Sequence, residues 1–324
     1  MSRRLLPYLA LFNVTNTSFS WHPIREIAAL ASHFSGISDL YIGIEPFCAE
    51  TRPPQDSRTV ENIRADMSWV ADIPNLLSPS SLKINGPPTT HLHIMQLLRM
   101  SNDKHALRIV HLSALDPDIL TELELLLGRS SHSIEDLALT FCPDLYLLVR
   151  YHPKLSGFAS DYIECDPMVW TIDASTLTNL HTIRLEHCLH TLDGRLEAFS
   201  LHRWTQLLNF VGHFSAALVQ CIIFDIKITP WDPPDSNIVR ALESMDWPRL
   251  GVILRGFKNL VNVHVKLHCW SGEPHEEERK VAIKYLELMA KGLATLKVEG
   301  KAVFDWMYNI EDKGGLQPGV FRLP

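Results

Sequence analysis

The chain has 324 residues, of which 46% are hydrophobic and 21% charged, and its formal net charge is -7. This composition belongs to a folded chain rather than a disordered one, and the mild negative charge argues against a nucleic-acid surface built on bulk positive charge. No apolar run reaches the length of about 18 residues that a transmembrane helix needs, so no membrane association is expected.

The N-terminus admits two readings. Met1-Ser2-Arg3-Arg4 ahead of Leu5-Leu6-Pro7-Tyr8-Leu9-Ala10-Leu11-Phe12 imitates a short signal peptide, and the sequons at Asn13 and Asn16 would suit secretion. Pro7 and Tyr8 interrupt the apolar run, however, and no small-x-small cleavage site follows. The same residues fit L-x-x-L-x-L, the strand segment of a leucine-rich repeat, with Leu6, Leu9 and Leu11 in register. The repeat is the better reading, and the sequons are then incidental.

The pattern returns down the chain, usually after a stretch of helical period. Residues 23–34, with Ile24, Ile27, Ala28, Ala31 and Phe34, precede Ile37-x-x-Leu40-x-Ile42. A weak member, Ser81-Leu82-Lys83-Ile84, comes next, and a helical stretch over residues 91–100 precedes Leu107-x-x-Val110-x-Leu112. Residues 116–128 form the clearest helix: Asp116 caps it, Pro117 suits its first position, and Gly128 is expected as a left-handed stop. Ile134-x-x-Leu137-x-Leu139-x-x-Cys142 is the fullest repeat, and Leu180-x-x-Ile183-x-Leu185-x-x-Cys188 matches it. An insertion over residues 143–175 separates them and, with Tyr146, Tyr151, Tyr162 and Trp170, is apolar enough to pack on the repeats.

Residues 204–214 then precede a strand near Cys221-Ile222-Ile223-Phe224, whose register is ambiguous by one residue. Leu260-x-x-Val263-x-Val265 follows, and a helix over residues 276–291 closes at Gly292 before a last strand at Leu293-x-x-Leu296-x-Val298. The second leucine-type positions are then Leu9, Leu40, Leu82, Val110, Leu137, Ile183, Cys221, Val263 and Leu296. The steps from Leu82 to Val110 and from Val110 to Leu137 match an ordinary repeat of about 28 residues, and the longer steps imply insertions. Residues 50–56, 229–235 and 270–275 are turn-rich loops, and residues 311–324 are expected to be loosely held.

Neither strand nor helix can bury its apolar side alone, so stacked units must share a core. The expected fold is α/β: an irregular leucine-rich-repeat solenoid over residues 1–310, with a curved parallel sheet on the concave side and helices on the convex side. The six cysteines include no C-x-x-C, and Cys142 and Cys188 end repeat strands. Reduced, buried thiols in the cytoplasm or nucleus fit this better than a disulfide framework.

Helix-strand units of irregular length ending in L-x-x-L-x-L resemble the leucine-rich-repeat half of fungal, mushroom-type F-box proteins. Leu6-Pro7-Tyr8-Leu9-Ala10-Leu11-Phe12-Asn13-Val14, Ser133-Ile134-Glu135-Asp136-Leu137-Ala138-Leu139 and the helix running to Lys291-Gly292-Leu293 carry the resemblance. Members of that family usually begin with an F-box, a three-helix segment that opens on Leu-Pro-x-Glu/Asp. Here repeat residues begin by Leu5, leaving no room for one. The resemblance therefore implies a repeat scaffold without its F-box and carries no ubiquitin-ligase membership with it.

No catalytic signature is present: G-x-S-x-G, G-x-x-x-x-G-K-[ST] and G-x-G-x-x-G are all missing. His275-Glu276-Glu277-Glu278 begins like a metalloprotease helix, lacks the second histidine, and reads as an acidic first helical turn. Sixteen histidines are a compositional oddity. His264 and His268 share a strand face, and His181, His187 and His190 surround another strand, yet ordinary hydrogen-bonded or solvated histidine is the simpler reading. No cofactor and no metal are expected.

The repeat pattern does nominate a surface, because residues between the leucine-type positions point to the concave side. The binding face so defined comprises Tyr8, Phe12, Tyr41, His111, Asp136, Thr182, Arg184, Glu186, Asn262, His264 and Lys266. The last six make a polar, mostly basic strip suited to an acidic or polar peptide. The expected function is a non-enzymatic scaffold that binds a protein, of unknown identity, through this face. The alternative is the substrate-recognition part of a ubiquitin-ligase adaptor whose F-box is supplied elsewhere, with ligase components as partners. A remote alternative is an enzyme using Asp161, Glu164, Asp166 and a histidine within residues 143–175.

Overall fold

The computed structural model describes residues 9–16, 37–44, 79–85, 94–95, 98, 107–112, 117–142, 173–190, 194–214, 218–229, 236–268, 276–312 and 315–323. Its class is α/β, and the chain divides into two compact units. One comprises Met1–Leu137 and Met168–Asn179; the other comprises Ala138–Pro167 and Leu180–Pro324.

In the first unit, strands β1 (Leu9–Asn16), β2 (Ile37–Ile44), β3 (Ser81–Asn85) and β4 (Ile109–Leu112) pair in parallel and in chain order. Leu40, Leu82 and Val110 share one register row and are fully or almost fully buried. The weak repeat at Leu82 is therefore a true strand in the expected register. Helix α1 (Pro117–Arg129) buries Leu123, Leu126 and Leu127. It runs through Gly128, so that glycine is not the stop expected of it. Arg108 and Glu135 form a two-bonded pair at 2.9 and 2.7 Å near the start of strand β5 (Asp136–Cys142), in which the division between units falls after Leu137.

The strand β1 is out of its expected register. Phe12 aligns with buried Leu40, while Asn13 aligns with Tyr41. An odd offset exchanges the two parities of a strand, so Phe12 shares its register row with Leu40 and not with Tyr41.

In the second unit, β6 (Thr182–His190), β7 (Cys221–Thr229), β8 (Asn262–His268) and β9 (Ala302–Asp312) pair in parallel, and β10 (Gly315–Arg322) pairs antiparallel with β9. The first core row is Ile183, Ile222, Val263 and Ala302. The next is Leu185, Phe224, Val265 and Phe304, all at 1% exposure or less. The steps from Ile183 to Ile222, Ile222 to Val263 and Val263 to Ala302 are nearly equal in length. The strand spacing is more even than the leucine spacing alone implied, and two corrected positions account for the difference.

One correction is at β7, where Ile222 and not Cys221 takes the leucine-type position. The other is at residues 293–298, which form a short helix, not a strand. Leu293 and Leu296 are buried as expected, but three-residue spacing serves a helix as well as a repeat. That helix ends on Gly300 at φ 70, with Lys301 N–H donating to Leu296 O and Gly300 N–H to Lys297 O, a Schellman closure that redirects the chain into β9.

Four longer helices pack on the core rows. They are α2 (Gly194–His213), α3 (Ser236–Ser244), α4 (Trp247–Arg255) and α5 (Glu276–Gly292), with the short α6 (Ala294–Val298) after them. Asp246 caps α4 by accepting from Arg249 N–H at 3.0 Å, and Pro248 sits in its first turn. Trp204 of α2 meets Phe224 at 6.3 Å and Trp247 at 5.0 Å between ring centroids. Where α4 and α5 touch, a Cβ added at Gly292 would collide with the Cβ of Trp247. Glycine is needed there for close approach.

The C-terminal residues expected to be loose instead form β10. Leu323 N–H donates to Phe304 O at 2.9 Å, and the pairing register places Pro318 opposite Asn309. The N–H groups turned towards β9 belong to Leu323 and every second residue before it, so Pro318 falls on the opposite parity, its nitrogen facing away from β9, where a missing N–H costs the ladder nothing. Much of the expected insertion lies outside the described residues, and its end carries a 3-10 turn, Ala174–Thr176, capped by Asp173.

Leu137, Leu139, Ile183 and Leu185 are all buried to 1% or less. Leu185→Ala should destabilise by about 2–5 kcal/mol in denaturant unfolding, and Leu137→Asp should cost more, through a buried unpaired charge. Unchanged melting of Leu137→Asp would show the register to be wrong. Gly292→Ala should cost about 1–3 kcal/mol, because Trp247 must move off its packed site.

Candidate interaction face

The helices bury one side of each unit's strands and leave the other side partly open. In the first unit, Tyr41, Lys83 and His111 share a register row on that open side. Lys83 Nζ lies 5.2 Å from the centroid of the Tyr41 ring, a cation–π contact. His111 Nε2 stands 3.9 Å from Asp136 Oδ1, with both side chains about one-quarter exposed. Tyr8 lies outside the described residues. In β5, Ala138 and Thr140 occupy the same parity as Asp136 but are buried.

In the second unit, β8 alternates as expected: Asn262, His264, Lys266 and His268 are open or half-open, and Val263, Val265 and Leu267 are buried. The six residues nominated there do share a face, with one strand, β7, between the two sets. Reading across the sheet, one row is Thr182, Cys221 and Asn262. The next is Arg184, Ile223, His264 and Val303, followed by Glu186, Asp225, Lys266 and Asp305. Cys188, Lys227, His268 and Met307 form the last.

Four charged residues on this face were not among those nominated: Asp225, Lys227, Asp305 and Arg322. Their strands had been given the wrong parity, the wrong place or no strand at all. The signal in β7 was legible, because Asp225 and Lys227 alternate with Phe224, Ile226 and Ile228 and fix its parity. The strip is consequently not mostly basic. Lys227 donates to Glu186 at 2.7 Å, and Arg322 grips Asp305 through two bonds of 2.8 and 3.1 Å.

Asp225 is the hub. Its Oδ1 lies 3.0 Å from His268 Nε2, and its Oδ2 lies 4.0 Å from Arg184 Nε. Burial alone would raise its pKa. The hydrogen bond and charge of His268, with the charges of Lys266 and Arg184, more than offset burial and hold the carboxyl below its ordinary value.

Among the described residues no group of three histidine, cysteine or acidic side chains could hold a metal ion, and no helix is long and apolar enough to cross a membrane. His187 sits in the core against Trp204, at 5.5 Å between ring centroids. Asp161, Glu164 and Asp166, the acids of the remote enzyme reading, lie outside the described residues, and so does the Cys142 side chain. Cys188 is buried at 1% exposure.

Because the folded-state pKa of Asp225 is depressed, its contribution to stability is complete above its unfolded value of about 3.9. It is lost as pH falls below that value through the folded one. The stability gap between wild type and Asp225→Asn should therefore be widest near neutral pH and narrow on acidification below about pH 4 in urea titrations. A gap independent of pH would contradict the hub assignment.

Scanned against protein-family models, curated proteins and solved structures, the chain finds no match.

Proposed function

We propose that this protein is a non-enzymatic interaction scaffold of the leucine-rich-repeat kind, an irregular solenoid that binds a protein through the open side of its sheet. The observation that carries this reading is the pattern of the second unit. Parallel strands follow one another in chain order at nearly even intervals, from Ile183 to Ile222, Val263 and Ala302, and the described helices pack on the side of these residues. Repeats of this build commonly present the uncovered strand face to a partner. The step from fold to function is an analogy, which the shared parity of polar, accessible side chains across β6 to β8 supports.

A photo-reactive phenylalanine at Asn262 or Thr182 tests it in cells. Both positions should cross-link to the same protein, while the same group at Val252, 60% exposed on α4, should not. Cross-linking from Val252 and not from the sheet would place binding on the helical side and sink the reading.

A further inference from the structure

Acids and bases on the open face of the second unit are unequally committed. The three acids described on it are engaged: Glu186 by Lys227, Asp225 by His268 and Arg184, and Asp305 by Arg322. Three of the basic side chains are engaged less closely. Lys266 and His264 make no ion pair or hydrogen bond among the described residues, and Arg184 reaches Asp225 only at 4.0 Å while its side chain stays 43% exposed. Lys266 lies in register between Asp225 and Asp305, whose oxygens are turned to other cations. Half-buried Ile223 separates Arg184 from His264, and half-buried Val303 flanks His264 on the other side.

We propose, resting on the reading of this face as the interaction surface, that it recognises an acidic peptide segment of a partner protein, seating a Glu or Asp carboxylate among Lys266, His264 and Arg184 and an apolar side chain against Ile223 and Val303. Charge complementarity selects this occupant. Lys266, with no ion pair of its own among the described residues, and Arg184, held only at 4.0 Å from Asp225, call for a further negative group, and Ile223 and Val303 call for an apolar one beside it. A nucleic acid suits the face poorly: Glu186, Asp225 and Asp305 would confront a continuous phosphate backbone within one register row. The spacing favours single carboxylates set among apolar side chains, with charge contributing orientation and association rate.

Fluorescence anisotropy of the full chain with two short fluorescein-labelled peptides tests this, one alternating Glu with Leu and the other Gln with Leu. The Glu peptide should bind at least about tenfold more tightly, and the preference should shrink from low salt to about 150 mM, where screening acts within about 8 Å. Lys266→Gln and Arg184→Gln should each weaken Glu-peptide binding severalfold with only a modest change in melting temperature, since half-exposed pairs such as Arg184–Asp225 contribute little to stability. Lys266→Arg, which keeps the charge, should retain binding. Lys284→Gln, on the exposed side of α5, should leave it unchanged. Equal binding of the two peptides, or an equal loss in Lys284→Gln, would overturn the proposal. Cross-linking from Asn262 reads occupancy of the face whatever its chemistry. A positive cross-link together with charge-blind peptides would therefore remove the carboxylate assignment alone.

Discussion

Strand parity governs this molecule more than any single contact. In the second unit Ile183, Ile222, Val263 and Ala302 lie side by side in one register row, with Leu185, Phe224, Val265 and Phe304 in the next. With neighbouring strands about 4.8 Å apart, such rows make continuous apolar columns against which the helices lay Trp204, Leu207, Tyr285 and Leu286. Each inward residue commits its two neighbours to the opposite side. The buried core and the open charged face are therefore one decision, and neither can be altered by a residue without the other.

How much of this was legible follows from how far the pattern excludes its rivals. At Ile183 and Val263 the apolar positions alternate with polar residues, so period two stands clear and burial follows. At β7 the residues around Ile222 are apolar on both sides, and parity emerges only further along, at Asp225 and Lys227. At residues 293–298 the spacing of Leu293 and Leu296 fits one helical turn as readily as a repeat, and the preceding helix simply resumes after a break. Residues 315–322 carry Gly315, Pro318 and Gly319, which read locally as a loop. Antiparallel pairing with β9 overrides that composition, with Gly319 leaving room for the Tyr308 ring across the pair. The charged residues missed on the face are those carried by these misplaced strands.

The open face is consequently more nearly balanced than its leucine spacing implied. Its buried Asp225 lies within reach of His268 and Arg184 from neighbouring strands, linking β6, β7 and β8 through side chains as well as through the backbone. Such pairs are half-screened by solvent and contribute modestly to stability. Their larger effect is positional: they hold side chains of three adjacent strands together on one face of the sheet.

Pro318 bears on how this protein behaves when crowded. A parallel sheet that gains an antiparallel last strand presents a new rim of backbone donors and acceptors, the kind of rim on which chains nucleate fibrils. Here the proline withdraws a donor midway along that rim, on the side turned away from β9. Any foreign strand extending the sheet would meet a gap in its hydrogen bonding at the centre of the segment. The last strand thus lengthens the sheet by one and, among the described residues, leaves a gap in the outward hydrogen-bonding rim at Pro318.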